Sequence, residues 1–203
     1  GTASADASFG GSANYQPSSD SKNFTIDKAG SVTTVTCPAS VTYTGSALTP
    51  CTANVTGAGG LNQSLTVSYA NNVNAGTANA SASYAGDGNH AASSDAKTFT
   101  IDKATSTVTL TCPASVIYNG SAQTPCTASY STSDALTGSL TVSYTNNTDA
   151  GTATANATYA GDANHAGNSG SANFTIDKAG STTVVTCPAN VTYTGAALTP
   201  CTV

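Results

Sequence analysis

One fifteen-residue phrase bounded by two cysteines occurs three times in this chain. The copies run from Cys37 to Cys51, from Cys112 to Cys126 and from Cys187 to Cys201, and they contain all six cysteines. Each copy has the same internal length, and each begins 75 residues after the one before it. A strict period of this length predicts a tandem array of one structural unit, which has to be recognised before any site is sought.

The repeat extends over the whole chain. The phrase Phe-Thr-Ile-Asp-Lys-Ala begins at Phe24, Phe99 and Phe174 and marks the end of each unit. We therefore predict the C-terminal part of a repeat at 1–28, complete repeats at 29–103 and 104–178, and the N-terminal part of a repeat at 179–203. We call 29–103 repeat 1 and 104–178 repeat 2. The links have no Pro- or Gly-rich spacer, so we expect neighbouring repeats to be held at restricted angles.

The cysteines predict one disulfide bond per repeat, joining the two ends of each phrase. Small domains bury a limited core and often need such a covalent bond. The alternative is a zinc site, which usually uses close pairs such as C-x₂-C together with histidine. Here the cysteines of a pair are far apart and the histidines lie elsewhere, so we favour disulfides and an oxidising, extracellular compartment.

Charge and hydropathy exclude two classes of function. The chain has five lysines, ten aspartates, no arginine and a formal net charge of −5. Nucleic-acid binding requires clustered basic residues, so we expect no nucleic-acid partner. No apolar run approaches the roughly 20 residues that a membrane-spanning helix needs, so we expect no membrane span in this segment.

Apolar and polar residues alternate with a period of two throughout each repeat, which predicts β-strands. In repeat 1 the predicted strands include Val32–Cys37, Ser64–Tyr69, Thr77–Tyr84 and Lys97–Asp102, with Ala78, Ala80 and Ala82 facing inward. Six or seven short strands separated by turn residues predict an all-β, antiparallel β-sandwich for each repeat. The inward alanines predict two sheets that approach each other closely.

Three motifs resemble the bacterial immunoglobulin-like MBG repeats of large secreted or surface-attached proteins, adhesins among them. The motifs are V-x-Y-x-G-x-A-x-T-P, A-x-Y-A-G-D-x-N-H and F-T-I-D-K-A. In repeat 1 the residues that carry them are Val41, Tyr43, Gly45, Pro50, Tyr84, Gly86, Asp87, Asn89, Phe99, Ile101, Asp102 and Lys103. The resemblance covers essentially the whole chain. It implies tandem immunoglobulin-like β-sandwiches that serve as spacer, stalk or adhesive modules, and it identifies no ligand.

The Asp-x-Asn-His loop is the one candidate for a metal site. Asp87 with Asn89, and Asp162 with Asn164, place two oxygen-bearing side chains two residues apart, as at the start of a calcium site. No carboxylate-rich partner segment is nearby, so we favour an Asx turn that ties the loop to its own backbone, with no metal or cofactor. We expect His90 and His165 to occupy half-buried aromatic slots, because the first partial copy has Tyr15 at this position. No nucleophile accompanies them, so we expect no enzymatic activity.

Two other groups of residues recur at regular positions. Lys28, Lys103 and Lys178 lie at the repeat ends, where we expect solvent or a neighbouring carboxylate as their partner. Glycosylation sequons include those that begin at Asn23, Asn54, Asn62, Asn79, Asn119, Asn156, Asn173 and Asn190, and whether they are used depends on the host.

The sequence predicts a structural component of an extracellular fibre or stalk, whose partners are neighbouring repeats or copies of itself. The alternative is an adhesin array that binds a glycan or a surface protein. We expect the chain to be a window of a longer protein. In the alternative, residues 1–28 and 179–203 of successive molecules would pair by strand addition.

Overall fold

The structure, a computed structural model, describes residues 1–203 and consists of β-strands and loops. It has no α-helix, which confirms the all-β class, and a single 3₁₀ turn at Ala58–Gly60. The strands are β1 Thr2–Phe9, β2 Ser18–Thr25, β3 Ser31–Thr36, β4 Ser40–Thr42, β5 Thr52–Gly57, β6 Asn62–Leu65, β7 Ser68–Ala70, β8 Gly76–Tyr84, β9 Ser93–Asp102, β10 Ser106–Thr111, β11 Ser115–Ile117, β12 Thr127–Thr132, β13 Thr137–Leu140, β14 Ser143–Thr145, β15 Gly151–Tyr159 and β16 Asn168–Asp177.

The chain folds into two compact units. The first contains Gly1–Ser106 together with Thr132–Leu136 and Ala160–Gly167. The second contains Thr107–Ser131, Thr137–Tyr159 and Asn168–Val203.

The first unit contains three sheets. Strands β1 and β2 form an antiparallel hairpin, β3, β5 and β6 form a three-stranded sheet in the order β3-β5-β6, and the third sheet has the order β4-β9-β8-β7. The larger two sheets contribute to one core. Val35 and Ala53 come from the three-stranded sheet, and Ala78, Phe99 and Ile101 come from the four-stranded one.

The core of the first unit follows from the alternation in β8 and β9. Ala78 and Ala80 are completely buried, and Ala78 lies directly opposite Phe99 on the neighbouring strand. Small residues on β8 leave room for the rings of Phe99 and Tyr69, which meet edge to face at 6.3 Å between centroids. Burying a side chain such as Phe99 or Ile101 contributes about 1.5–3 kcal/mol.

The second unit repeats this plan. Its sheets have the strand orders β10-β12-β13 and β11-β16-β15-β14. Its core contains Ala153, Ala155, Phe174 and Ile176, and Tyr144 packs edge to face on Phe174 at 6.2 Å. Residues 178–203 are exposed, and within them one bridge joins Thr186 to Thr202 beside the disulfide bond.

The predicted single strand Ser64–Tyr69 is wrong in one respect, because the structure divides it between two sheets. Leu65 pairs with Ala53 on β5, whereas Tyr69 pairs with Ala80 on β8. The alternation continues across the break, since Val67 is also half-buried against the core. Apolar side chains at alternate positions therefore reach the same core from two different sheets. A period of two in the sequence is the same whether these residues form one strand or two.

The four-stranded sheets are also not purely antiparallel. Strand β4 runs parallel to β9, with Val41 beside Ile101, and β11 runs parallel to β16 in the same way. The chain leaves β3, bends at Pro38-Ala39 and joins the edge of the other sheet. The last strand of repeat 1 is also longer than predicted, since β9 begins at Ser93 rather than at Lys97.

The N-terminal hairpin shows how much the head of a repeat contributes to burial. Phe24 faces Ala3 in the register in which Phe99 faces Ala78. Phe24 is nevertheless 52% exposed and Phe99 only 2% exposed. Val35 and Val41 pack with the core around Phe99 and account for its burial.

Candidate functional site

The six cysteines form three disulfide bonds, Cys37–Cys51, Cys112–Cys126 and Cys187–Cys201. Each bond closes the loop between two cysteines that are 14 positions apart, and no free cysteine remains. Cys51 and Cys126 are buried at the edge of the cores, so the first two bonds join the disulfide loop to the packed sheets.

A tyrosine hydroxyl fixes the second cysteine of each buried pair. The hydroxyl of Tyr69 accepts the backbone N–H of Cys51 at 2.8 Å and donates to the carbonyl of the same residue at 3.0 Å. Tyr144 makes the same two bonds to Cys126, at 2.9 and 3.1 Å. Each hydroxyl therefore satisfies both polar groups of a buried backbone position that no strand partner serves.

The Asp-x-Asn-His loop is a closed turn in both complete repeats. One carboxylate oxygen of Asp87 accepts the backbone N–H groups of Asn89 and His90, both at 2.7 Å, and Asp162 does the same for Asn164 and His165 at 2.8 Å. Each loop is entered through a glycine with positive φ. A Cβ on Gly161 would lie 2.6 Å from the carbonyl oxygen of His165, so the loop closes only with glycine at that position.

The His90 cluster consists of Asp87, His90 and the carbonyl group of Ala58. Nδ1 of His90 lies 2.9 Å from the Asp87 carboxylate, and Nε2 lies 2.9 Å from the Ala58 carbonyl oxygen. Tyr84 also donates its hydroxyl to Asp87 at 2.8 Å. The Ala58 carbonyl and then the Asp87 carboxylate accept hydrogen bonds from the ring and raise the pKa of His90, while His90 and Tyr84 hold the pKa of Asp87 far below its usual range.

The His165 cluster is formed by Asp134, Asp162, Asn164 and His165. Nδ1 of His165 lies 2.8 Å from both oxygens of Asp162, and Nε2 lies 3.1 Å from Asp134, which belongs to the turn after β12. His165 is only 7% exposed. The carboxylates of Asp134 and Asp162 raise the pKa of His165. The pKa of Asp134 is lowered by the Thr132 hydroxyl and by His165, and that of Asp162 by His165 and the N–H of Asn164.

Residues of repeat 1 contact the His165 cluster directly, and all of the groups involved lie in the first compact unit. The ring of Tyr43 meets the imidazole edge to face at 5.5 Å. The side-chain oxygen of Asn164 accepts the N–H of Ala75 at 2.9 Å, and its amide donates to Asn74 at 3.2 Å. Lys103 donates to the backbone carbonyl of Asp162 at 2.5 Å, a different partner from the carboxylate or solvent that the sequence predicts.

The structure brings some of the predicted site residues into contact and leaves the others apart. The oxygens of Asp87 and Asp162 serve the Asx turns and the histidine rings, and no group of three His, Cys, Asp or Glu side chains has the arrangement of a metal site. Among the sequon asparagines, Asn54 and Asn156 are half-buried, and the others are exposed. No helix in the structure is long and apolar enough to cross a membrane.

The pairing of each histidine with an aspartate, and the role of Asp134, were not predicted from the sequence. The expected half-buried position describes His90, whereas His165 is buried, and neither charge partner was predicted. One signal was present in the chain: both histidines follow an aspartate by three residues, and the partial copy has Ser12 and Tyr15 at the same two positions. The aspartate and the histidine are thus absent together.

Comparison with known proteins adds no assignment, since no family model and no curated protein matches this chain.

Proposed function

We propose that this chain is a structural component of an extracellular fibre or stalk, built from tandem, disulfide-bonded, immunoglobulin-like repeats. The observation that carries the proposal is the contact of the His165 cluster with Tyr43, Asn74, Ala75 and Lys103. An aromatic contact and three hydrogen bonds of side chains join one predicted repeat to the next. A fibre needs such a specific joint between units, whereas freely hinged domains do not.

The repeat organisation is supported by the two cores. One core contains buried residues between Val35 and Ile101 only, and the other contains residues between Cys126 and Ile176 only. Strands with the same role begin 75 positions apart, as β3 and β10 do at Ser31 and Ser106. Each repeat has two sheets with a shared core, a tyrosine hydroxyl that is hydrogen-bonded to the backbone, and mixed strand pairing at one edge. These features are compatible with an immunoglobulin-like β-sandwich, in agreement with the MBG resemblance.

The extracellular location is supported by the disulfide bonds, which persist in oxidising compartments and are rare in reducing ones. A structural role is favoured over catalysis because both histidines have their two ring nitrogens against fixed acceptors. His165 exposes 7% of its surface, and both ring nitrogens are occupied by carboxylates, so the ring has no free nitrogen to offer a substrate.

An adhesin function is the second candidate, and one surface of repeat 2 favours it. Ile117 is 68% exposed, whereas the equivalent exposed position of repeat 1 is Thr42. An exposed aliphatic side chain at a position that is polar in the other repeat favours a contact surface for a protein or a sugar. Screening the chain against glycans and surface proteins, with Ile117→Thr as the control, tests this alternative.

The fibre proposal is tested by the dependence of size on copy number. Polypeptides with two, four and eight copies of residues 29–103 are compared by small-angle X-ray scattering. A fibre predicts that the maximum dimension increases in proportion to the number of copies. Compact association of the repeats predicts a radius that grows only with about the 0.38 power of the residue number, and that result would contradict the proposal.

A further inference from the structure

His165 carries two protons in the arrangement that the structure shows. Both ring nitrogens face acceptors, since Nδ1 is 2.8 Å from the Asp162 carboxylate and Nε2 is 3.1 Å from that of Asp134. A neutral imidazole has one N–H and one lone pair, so it can donate to only one of the two carboxylates. In that form the other nitrogen would face a carboxylate oxygen with its lone pair. The observed geometry therefore belongs to the imidazolium cation.

The cation holds together three segments that are distant in sequence. Asp134 lies on the turn between β12 and β13, Asp162 lies on the loop that carries the histidine, and the ring rests against Tyr43 of repeat 1. Lys103 is the other charged group at this position, and it donates to the Asp162 carbonyl. Loss of the imidazolium charge would leave the enclosed Asp134 carboxylate and the half-exposed Asp162 carboxylate facing one neutral ring, with a single positive group beside them.

The same loop positions Asn164, the residue that binds repeat 1. Its backbone N–H is held by Asp162, and its side-chain oxygen accepts the N–H of Ala75. The Asx turn and the histidine use the same carboxylate. Release of His165 from Asp162 therefore loosens the turn that aims Asn164 at Ala75.

The copies of this loop within the chain differ in the groups that surround the histidine position. Repeat 2 has two carboxylates around the histidine. Repeat 1 has one, because Gly59 stands where repeat 2 has Asp134, and the Ala58 carbonyl takes its place. The partial copy has Ser12 and Tyr15 in place of the aspartate and the histidine. The strength of the ionic contact thus differs among three copies of one loop.

We propose that the His165 imidazolium is a proton-dependent lock on the joint between repeats 1 and 2, closed while the ring is doubly protonated and released when it loses a proton. The inference rests on the proposed function, in which residues 29–103 and 104–178 are neighbouring repeats of a fibre. It adds a regulatory condition, namely that the joint is firm in mildly acidic surroundings and loosens as the pH rises through the pKa of His165.

The signs of the titrations define the range in which the lock is closed. The pKa of His165 is raised, so its contribution is complete below the unfolded value of about 6.5 and is lost as the pH rises through the folded value. The pKa values of Asp134 and Asp162 are lowered, so their contribution is complete above about 3.9 and is lost as the pH falls through the folded values. The lock is therefore at full strength between about pH 4 and pH 6.5.

The test follows two observables in the complete 203-residue chain by nuclear magnetic resonance. The ring nitrogens of the two histidines report their protonation, and amide exchange reports the protection of the Ala75 N–H, which donates to Asn164. Exchange rates are corrected for their intrinsic dependence on pH. We expect His165 to titrate above 6.5 and the protection of Ala75 to fall with the same midpoint. Each unit by which the pKa of His165 is raised allows about a tenfold loss of protection.

Two variants and two controls separate the lock from general stability. Asp134→Gly gives repeat 2 the residue of repeat 1, and we expect the titration of His165 to move towards a lower pH. His165→Gln should lower the protection of Ala75 and remove its pH dependence. His90→Gln is the matched control and should leave Ala75 unchanged. The N–H of Leu48, which donates to the Asn72 carbonyl, is an amide of repeat 1 outside the contact and should keep its protection throughout.

The inference would be overturned by a His165 that titrates at or below 6.5, or by protection of Ala75 that stays constant through that titration. The wild-type chain alone gives this answer, even if a variant does not fold. The result is independent of the scattering series on copy number. A fibre whose joint does not respond to His165 would refute the lock only, and a responsive joint in chains that collapse into compact particles would refute the fibre only.

Discussion

Phe99→Ala should unfold repeat 1 selectively. Phe99 is 2% exposed, lies opposite Ala78, and packs edge to face with Tyr69 in the centre of the first core. Replacing a buried phenylalanine by alanine costs about 3–5 kcal/mol, because both the transfer free energy and the packing around the resulting cavity are lost. A domain of this size has a total free energy of unfolding of roughly 4–11 kcal/mol. The substitution therefore removes a large part of it.

Phe24→Ala is the matched control, because both residues begin the same six-residue phrase and occupy the same register. Phe24 is 52% exposed, so its replacement should change stability by about 0.5 kcal/mol or less. The chain has no tryptophan to serve as a fluorescent probe. Urea-dependent hydrogen exchange, measured by mass spectrometry on peptides from each repeat, gives the two unfolding transitions separately.

The expected result is a transition of repeat 1 at much lower urea concentration, with repeat 2 unchanged. Two outcomes would refute the reasoning. Equal effects of Phe24→Ala and Phe99→Ala would show that burial in the first core does not determine the cost. Loss of both repeats in one transition would show that the two cores are not independent.

Three further predictions concern the disulfide, its tyrosine and one carboxylate. Tyr69→Phe leaves the buried N–H of Cys51 without its acceptor and should lower the free energy of unfolding of repeat 1, measured in urea, by about 1–3 kcal/mol. Tyr193→Phe, at an 88% exposed position, should have no measurable effect. Equal effects of the two substitutions would contradict the role of the hydroxyl. Replacing Cys37 and Cys51 together by serine should lower the free energy of unfolding of repeat 1 by about 3 kcal/mol. The same change at Cys187 and Cys201 should leave both unfolding transitions in place. A larger loss of stability from the second pair than from the first would be inconsistent with the structure. The carboxylate of Asp95 accepts the N–H of Val35, which lowers its pKa, so its stabilisation should be present above about pH 3.9 and be lost as the pH falls through the folded pKa. Repeat 2 has Gly170 at this position, and acid unfolding with Asp95→Asn should abolish this component in repeat 1 only; a variant with the wild-type acid profile would refute it.

Local patterns predict much of the fold. The period of two in β8 places Ala78, Ala80 and Ala82 inward, and the three are buried. The regular spacing of the cysteines predicts one bond per repeat. Both inferences depend on residues that are close in sequence, where the geometry of a strand or the length of a loop limits the alternatives.

Features that depend on distant residues were not predictable in the same way. The parallel pairing of β4 with β9 joins Val41 to Ile101, and no local pattern distinguishes it from an antiparallel edge. The partner of His165 at Nε2 is Asp134, 31 residues away, in a turn whose sequence differs between the repeats. Such contacts are determined by packing of the complete fold, although the joint absence of Asp and His from the partial copy indicated the nearer pair.

Pulling single molecules of the 203-residue chain tests whether it is a disulfide-bonded tandem array that bears load, as we propose. We predict two separate unfolding steps, one for each complete repeat, rather than one step for the whole chain. Each disulfide keeps 14 positions out of the extended chain. Reduction should therefore lengthen each step by about 50 Å at 3.6 Å per residue. A single cooperative step, or steps that keep their length after reduction, would contradict the account.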